Sequence, residues 1–518
     1  MEQGSLQILI VMVVYMVAVI GIGIFFARRA NADTEKFFLG GRSLGPWVSA
    51  MSAEASDMSG WLLMGLPGVA YWCGLADAFW TAAGLAVGTY INWLVVSKRL
   101  RRYSIAANNS ITLPEFFSNR FHEKKKVIMG ISAAFILVFF TVYAASCLVT
   151  CGKLFSTLFG APYITMMLVG AAFVLIYTLL GGFLAESASD FMQAIVMVVV
   201  LVAVLTLGVA SAGGLNAVFE NVKDFPGFLE FFGIADPVTE GGVQLAVNGV
   251  PSFGARQDYG ALNVASMLAW GLGYFGMPQV LLRFMAIRRE DELKRARRVA
   301  MVWVVISLAA AIMIGIVGRA LFPTALTTAS EAENVFIYLS RSLLPAALAG
   351  LAMAGILAAT ISSSDSYLLI AASAFAKNAY QGIFKKNATD KEVMTLSRIM
   401  LLVITAIAIV IALDENSVIF TIVSFAWAGF GATFGPLVLF SLFWRRMTRA
   451  GAIAGMLSGG GMVFIWKLVI KPLGGIFGIY ELLPAFIVSS IFIIAVSLLT
   501  SNPSKEIQDE FERVKKGA

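Results

Sequence analysis

Residues 55–68, ASDMSGWLLMGLPG, place an aspartate, two serines, three glycines and a proline inside a long apolar segment. An ionisable side chain near the bilayer centre costs about 2.5 to 3.5 kcal/mol on insertion scales, so Asp57 requires a partner or an ion. Glycine and proline weaken a helix, and unwound backbone is tolerated in hydrocarbon only where it lines a buried site. The stretch therefore predicts a helix that breaks near Asp57 and offers carbonyl oxygens to an internal site.

The chain around this stretch is too apolar for a soluble protein. Of its 518 residues, 59% are hydrophobic and 13% are charged, whereas soluble proteins carry about 25% charged residues. Mostly apolar runs of about 20 residues, the length that crosses the hydrocarbon core, recur from end to end and predict an all-α polytopic membrane protein. About thirteen such runs, numbered here as spans 1 to 13, lie near residues 6–27, 46–72, 75–97, 127–152, 162–184, 190–211, 264–286, 299–321, 344–376, 396–413, 417–443, 450–470 and 482–499.

Lysine and arginine are concentrated in every second loop, after spans 1, 3, 7, 9 and 11. Because short basic loops stay in the cytoplasm, the N-terminus is predicted outside the cell and the C-terminus inside, with the chain in the plasma membrane. The 38 basic residues against 31 acidic ones thus reflect topology, and no nucleic-acid partner is expected. Residues 1–500 are predicted to form a single membrane domain with one long extracellular loop at 212–263. Residues 501–518 are predicted to form a solvated cytoplasmic tail.

Few residues are suited to metal, thiol or catalytic chemistry. The chain has three cysteines and one histidine, too few for a zinc site or a disulfide framework, and His122 stands in a basic loop where solvation is expected. No HExxH or GxSxG motif lies on a suitable element, so neither an enzyme nor an organic cofactor is expected. A sensor that feeds a kinase would need a catalytic region after span 13, where residues 500–518 follow.

Span 9 carries AATISSSDSY at residues 358–367. At 100° per residue, one face of this helix collects Ala359, Ser362, Ser363 and Ser366, with Asp365 at its flank. Hydroxyl and carbonyl oxygens are suitable ligands for a small cation, so this face predicts an ion site. The alternative is that the serines bond back to the carbonyls of their own helix.

Span 7 carries AWGLGYFGMPQ at residues 269–279, where Gly271, Gly273, Gly276 and Pro278 predict a second broken helix. Two interrupted helices in separate halves of a polytopic chain indicate a transporter built from inverted repeats, with its substrate near the bilayer midplane. The aromatic residues beside this break, Trp270 and Tyr274, either pack in the core or line a pocket, and the residues alone leave both possibilities open.

Two further carboxylates have an alternative structural interpretation. Glu54 precedes the break in span 2, and Asp190 stands at the predicted start of span 6. Each side chain is compatible either with a site or with a hydrogen bond to a neighbouring helix, and negative charge at a helix start is stabilising by itself.

Four motifs give the chain a specific resemblance. They are LGGRSLGP at 39–46, SDMSGWLLMGLPG at 56–68, WGLGYFGMP at 270–278 with RFMA at 283–286, and SFAWAGFGATFGP at 424–436. The chain resembles the sodium/solute symporter family from span 1 to span 13, and within it the sodium/proline symporters. The resemblance implies a leucine-transporter-type fold, with two five-helix inverted repeats at about 46–211 and 264–443. Glu54 and Met277 depart from the family pattern, which often has a small residue and a polar residue there.

The resemblance implies sodium-dependent secondary active uptake of L-proline across the plasma membrane by alternating access, with sodium as the coupling ion. The alternative is sodium-coupled symport of another small organic solute, such as pantothenate, a sugar, sialic acid or another amino acid. The implied sodium ligands are the carbonyls of Ala55, Met58 and Ala359 and the hydroxyls of Ser362 and Ser363. Sodium-site support or a second cation site is implied for Asp57, Asp190, Asp365 and Ser366, the last three together with Ser362. Substrate contacts are implied for Ser59, Trp61, Tyr143, Trp270, Tyr274 and Pro278.

Overall fold

A computed structural model of the chain is mostly helical. The structure describes residues 3–30, 33–180 and 182–517, with side chains for 6–25, 33–179 and 182–517. The first and last residues of the chain lie outside these ranges, and so does part of the loop after span 1. The prediction of an outside N-terminus and an inside C-terminus refers to those two ends. Within the described chain, ten helices are long and apolar enough to cross a membrane. The protein is therefore a multi-pass membrane protein.

The ten long helices correspond to every predicted span except 2, 5 and 7, and several extend beyond the predicted ends. Their bounds are Gln3–Ala30, Leu75–Ala106, Val127–Phe159, Phe183–Ser211, Glu290–Leu321, Ala346–Phe384, Asp390–Ile411, Ile419–Phe443, Arg449–Leu473 and Leu482–Leu499. Wider π-type turns occur within three of them, at Asn92–Val96, Ala374–Phe384 and Trp466–Ile470. Span 5 is the shorter helix Tyr163–Leu180. Short connecting helices lie at Thr34–Leu39, Leu113–Arg120, Leu215–Glu220, Ala329–Ala332 and Val335–Leu343.

Spans 2 and 7 are both interrupted, as the glycine and proline pattern predicts. Span 2 runs as the helix Pro46–Asp57, leaves helical geometry after it, and resumes as Trp61–Gly65 and Leu66–Cys73. Span 7 consists of Ala261–Leu268, Trp270–Gly273, Tyr274–Gly276 and Pro278–Ala286. Met277 is extended between the last two pieces, with φ −77° and ψ 109°.

The glycines beside the break in span 7 allow close contact with its neighbours. A Cβ atom on Gly88 of span 3 would lie 2.3 Å from the carbonyl oxygen of Gly271, and one on Gly276 would lie 2.4 Å from the carbonyl oxygen of Phe430 in span 11. Any side chain at these positions would therefore force the helices apart, so the broken span is held backbone to backbone between spans 3 and 11.

The long loop at 212–263 contains β-structure, so the all-α prediction is corrected to a mostly helical fold. Three short antiparallel pairs form: Gly233–Ile234 with Gln257–Asp258, Thr239–Glu240 with Val243–Gln244, and Ala246–Val247 with Val250–Pro251. The last pair is joined by Asn248 and Gly249, both with positive φ, which is the turn that an Asn-Gly pair favours in hairpins. Buried Arg319 of span 8 anchors the loop by donating to Gln244 Oε1 at 3.0 Å.

The C-terminal tail forms the helix Lys505–Lys516, and one of its faces is buried, which corrects the prediction of a solvated tail. Apolar residues at 507, 511 and 514 share that face at helical spacing. Phe511 is 3% exposed, and the guanidinium carbons of Arg99 and Arg120 lie 4.9 and 5.4 Å from its ring centroid. His122 Nε2 lies 3.0 Å from Glu510 Oε2. The histidine therefore contacts the tail helix instead of standing free in a loop.

We expect Phe511→Ala to release the tail helix, because it removes a buried ring and two cation–π contacts worth together about 3 kcal/mol or more. Limited trypsin digestion of the purified chain, read by mass spectrometry at the tail lysines and arginines, should show faster cleavage than in the wild type. Asp509→Ala, on the exposed side of the same helix, should be cleaved at the wild-type rate. Equal protection of Phe511→Ala and wild type would contradict the docking of this helix.

Candidate functional site

The breaks in spans 2 and 7 meet at the side chain of Asp57. Its Oδ2 accepts a hydrogen bond from the Tyr274 hydroxyl at 2.8 Å, and its Oδ1 accepts one from the Gln279 amide at 3.2 Å. Tyr274 precedes the break in span 7 and Gln279 follows it, and Asp57 is 3% exposed. One buried carboxylate thus joins the end of a half-helix in span 2 to both sides of the break in span 7. Gln279 was not predicted, because nothing in the sequence indicates which side chain faces Asp57.

The break in span 2 frees the carbonyl group of Ala55. In an intact helix, this oxygen would accept from the N–H of Ser59, four residues on. That N–H donates instead to the carbonyl of Asp57 at 3.0 Å, whereas the preceding bond, from Met58 N–H to the Glu54 carbonyl, is kept at 2.8 Å. The bond from Met58 is therefore the last one of the helix, and the Ala55 carbonyl is left without its helical partner.

Serine hydroxyls of span 9 donate hydrogen bonds to this freed carbonyl. Ser362 Oγ donates to the Ala55 carbonyl at 2.8 Å and lies 3.2 Å from the Ala359 carbonyl, while Ser363 Oγ donates to Ala55 at 3.2 Å. Ser364 instead bonds back to the Thr360 carbonyl at 2.6 Å, as membrane serines often do. Four of the five predicted sodium ligands thus come together between spans 2 and 9. The fifth, Met58, lies at the helix end beside them.

A small cavity beside Asp57 has aromatic side chains for half of its lining residues. Its lining residues are Asp57, Met58, Trp61, Leu85, Tyr143, Trp270, Val423 and Trp427. The ring centroid of Trp270 lies 5.7 Å from that of Trp61, 5.2 Å from that of Phe420 and 6.0 Å from that of Trp427. Tyr274 packs edge-on against Trp427 at 5.0 Å. Trp427 and Phe420, both on span 11, were not predicted.

Two indole N–H groups at this cavity have no hydrogen-bond partner among the described residues. They belong to Trp61 and Trp270, and both are buried. The third indole is engaged, because Trp427 Nε1 donates to the Trp270 carbonyl at 2.8 Å. Buried polar groups are normally paired, so the two unpaired donors are suited to an acceptor group on a bound solute.

The remaining predicted substrate residues are placed differently. Ser59 Oγ accepts from the backbone N–H of Trp61 at 3.3 Å, and so helps to hold the unwound segment. Pro278 begins the last helix of span 7 and lines a separate narrow cavity with Thr112, Ile136 and Asn378. The structure therefore does not bring Pro278 together with the aromatic residues around Asp57.

A second buried cluster is centred on Arg283 in the last helix of span 7. Arg283 Nη2 donates to Glu186, to Asp190 Oδ2 at 3.3 Å and to Ser366 Oγ at 2.9 Å, and Nε donates to Ser52 Oγ at 3.0 Å. Ser52 in turn donates to Asp190 at 2.7 Å. Arg283 is 0% exposed. The cluster joins spans 2, 6, 7 and 9.

Asp190 and Ser366, predicted as parts of a second cation site, both lie in this cluster, and the adjacent Asp365 is 3% exposed. A fixed guanidinium charge is therefore already present beside them, and their binding of a further ion stays a prediction. The interpretation of Asp190 as a helix-start residue is wrong. Span 6 begins at Phe183, and the effect of a helix start fades within the first turn.

Arg283 itself was missed, although an arginine inside an apolar span is the signal for such a cluster. Glu54 follows the alternative interpretation given above. It is 1% exposed and accepts from Trp93 Nε1 of span 3 at 3.2 Å, so it bonds to a neighbouring helix.

Two broken helices that meet at a buried site, beside oxygen groups suited to a cation, define a secondary transporter of the membrane. The model of the sodium:solute symporter family matches residues 37–459. A sodium/proline symporter of Haemophilus influenzae is 43% identical over 512 residues, 98% of this chain and 97% of that protein. One from Escherichia coli is 40% identical over 511 residues, 98% of this chain and 96% of that protein. The chain belongs to the sodium:solute symporter family, which confirms the resemblance of its motifs.

The fold is shared with a solved transporter of different sequence. A Na+-coupled sialic acid symporter, in a substrate-bound outward-open state, superimposes with a TM-score of 0.75 over 96% of this chain and 99% of that one. The sequence identity is 17%, so this likeness concerns the helix arrangement alone.

We expect Arg283→Gln to destabilise the protein by about 3 to 5 kcal/mol, because it leaves Glu186 and Asp190 buried without their cation. Thermal unfolding of the purified protein in detergent measures the loss. Adding Glu186→Gln should recover part of the stability, since it removes one unpaired charge. Arg289→Gln is the matched control: its partner Asp291 is 63% exposed, and the expected change is below about 1 kcal/mol. An unchanged melting temperature for Arg283→Gln would contradict the cluster.

Proposed function

We propose that this chain takes up L-proline together with sodium across the plasma membrane by alternating access. The observation that carries the proposal is the meeting of two broken helices at an aromatic cavity, next to the oxygens of Ala55, Ser362 and Ser363. Relatives about 40% identical over nearly the whole chain are named sodium/proline symporters, and this supports both the ion and the solute.

Sodium is held by the carbonyls of Ala55, Met58 and Ala359 and the hydroxyls of Ser362 and Ser363. The hydroxyls keep lone pairs when they donate to a carbonyl, so a cation between spans 2 and 9 gathers both kinds of oxygen. Asp57 organises the unwound segment through Tyr274 and Gln279. A potential of about 100 mV is worth about 2.3 kcal/mol per sodium charge, which corresponds to about fifty-fold accumulation of a zwitterion.

Proline binds against Trp61, Tyr143 and Trp270 at the aromatic cavity, whose side chains move apart to admit it, because the cavity has room here for about one water molecule. Its apolar ring packs on the aromatic faces, as in most small-molecule sites, and its carboxylate accepts from the unpaired indole N–H groups. Ser59, at the break in span 2, and Tyr274, beside the break in span 7, contact the solute. Pro278 contributes by starting the half-helix that carries Gln279.

The proposed architecture is a leucine-transporter-type fold of about thirteen transmembrane helices. The interrupted spans 2 and 7 are then the first helices of two inverted five-helix repeats, at about 46–211 and 264–443, within one transport domain at 1–500. The N-terminus is outside, and residues 501–518 are cytoplasmic. Asp190, Asp365 and Ser366 are proposed to hold a second cation beside Arg283.

In proteoliposomes, the wild-type chain should accumulate radiolabelled L-proline when a sodium gradient is directed inward, because the ion and the solute cross together. A potassium gradient of equal size is the control. Competition by unlabelled pantothenate, sugars, sialic acid and other amino acids separates proline from other solutes. Proline uptake that did not respond to the sodium gradient would contradict the proposal.

Two variants should separate the ion site from the solute site. Ser363→Ala removes one hydroxyl ligand and should raise the sodium concentration for half-maximal uptake about tenfold. Tyr274→Ala removes the ring that packs edge-on against Trp427, a lining residue of the cavity, and should raise the proline KM more than the sodium requirement. Each variant is the control for the other in the same uptake assay. The reverse pattern would place Tyr274 at the ion site and Ser363 at the solute site.

A further inference from the structure

Tyr480, in the connection between spans 12 and 13, contacts Trp270 from outside the proposed repeats, and Trp270 lines the aromatic cavity. It lies just before the helix Leu482–Leu499 and is 4% exposed. Its ring stacks on Trp270, with centroids 5.1 Å apart and an interplanar angle of 21°. A residue from the two C-terminal spans thus touches an aromatic side chain that lines the cavity.

Two hydrogen bonds fix the position of Tyr480 relative to spans 7 and 11. Its backbone N–H donates to Ser266 Oγ at 2.7 Å, and its hydroxyl donates to the Ser424 carbonyl at 2.6 Å. Ser266 lies one helical turn before Trp270 on span 7, and Ser424 lies on span 11, one turn before Trp427. Tyr480 therefore connects the two elements that carry Trp270 and Trp427.

The next residue anchors this connection. Glu481 is 0% exposed, and its carboxylate lies 3.4 Å from Lys467 Nζ and 3.1 Å from Lys471 Nζ. Both lysines are at the end of span 12. Span 12 packs closely on span 13, since a Cβ atom on Gly455 would lie 2.3 Å from Ile493. Glu481 thus ties the backbone next to Tyr480 to the end of span 12.

We infer that Tyr480 is a positioning residue of the solute site, which fixes the Trp270 ring and so sets the shape of this wall of the cavity. The inference rests on the proposed function and extends it to spans 12 and 13. Tyr480 does not line the cavity and acts on the solute through Trp270. Its loss should change solute affinity and selectivity, while the ion site between spans 2 and 9 keeps its oxygens.

The test is uptake of radiolabelled L-proline by the full chain in proteoliposomes. Tyr480→Leu removes the stacked ring and should raise the proline KM about five- to tenfold, with the sodium half-saturation at saturating proline unchanged. Tyr480→Phe keeps the stacked ring but loses the hydrogen bond to the Ser424 carbonyl, so the proline KM should rise only about two- to threefold. The six-membered-ring homologue of proline, used as competitor, should lose less affinity than proline in Tyr480→Leu, because the cavity becomes wider.

Phe477→Leu is the matched control in the same connection. Phe477 is 39% exposed and packs on Trp466, away from the cavity, so its variant should keep the wild-type KM. An unchanged KM in Tyr480→Leu, or an equal rise in Phe477→Leu, would overturn the inference. If Tyr480→Leu does not fold, Ser266→Ala should raise the KM about twofold, and no rise would overturn it. Wild-type protein without sodium-dependent uptake would instead overturn the proposed function.

Discussion

The hydrogen bonds of Asp57 hold the two broken helices of this protein together. A carboxylate is costly in hydrocarbon, and here it is buried between a tyrosine hydroxyl and a glutamine amide that flank the break in span 7. The arrangement pairs both oxygens of the carboxylate and joins the two interrupted spans at the same time. The carbonyl and hydroxyl oxygens between spans 2 and 9, the aromatic cavity and the packing of spans 3 and 11 all lie around this contact.

The break in span 2 makes the carbonyl group of Ala55 available to side chains of another helix. The backbone N–H of Ser59 donates to the carbonyl of Asp57, so the Ala55 carbonyl no longer accepts a helical hydrogen bond. An unpaired carbonyl inside a membrane protein is unfavourable, and the serines of span 9 supply its partners. The oxygens that stabilise the break are the ones that we propose as sodium ligands.

Local signals in the sequence were sufficient for the breaks and for the serine face. Glycine, proline and a buried aspartate act on their own helix, and the helical period fixes which serines share a side. The Arg283 cluster was not predictable in this way, because the period assigns a face without stating which helix lies opposite. The contacts of Trp427, Phe420 and Tyr480 with Trp270 were not predictable either, because aromatic residues are common in apolar spans and the sequence does not show which of them meet. The tail helix is different: its apolar spacing at 507, 511 and 514 was readable, and so was the Asn248-Gly249 turn.

The contact between Gly88 and Gly271 bears on how such a protein moves. Most helix interfaces contain side chains that change rotamer when the helices slide, but here carbonyl and Cα atoms of one backbone meet those of the other. No rotamer can absorb a displacement at that point. Spans 3 and 7 are therefore expected to turn as one rigid body during transport, with the hinge displaced to the interrupted segment of span 2 and to interfaces built from longer side chains.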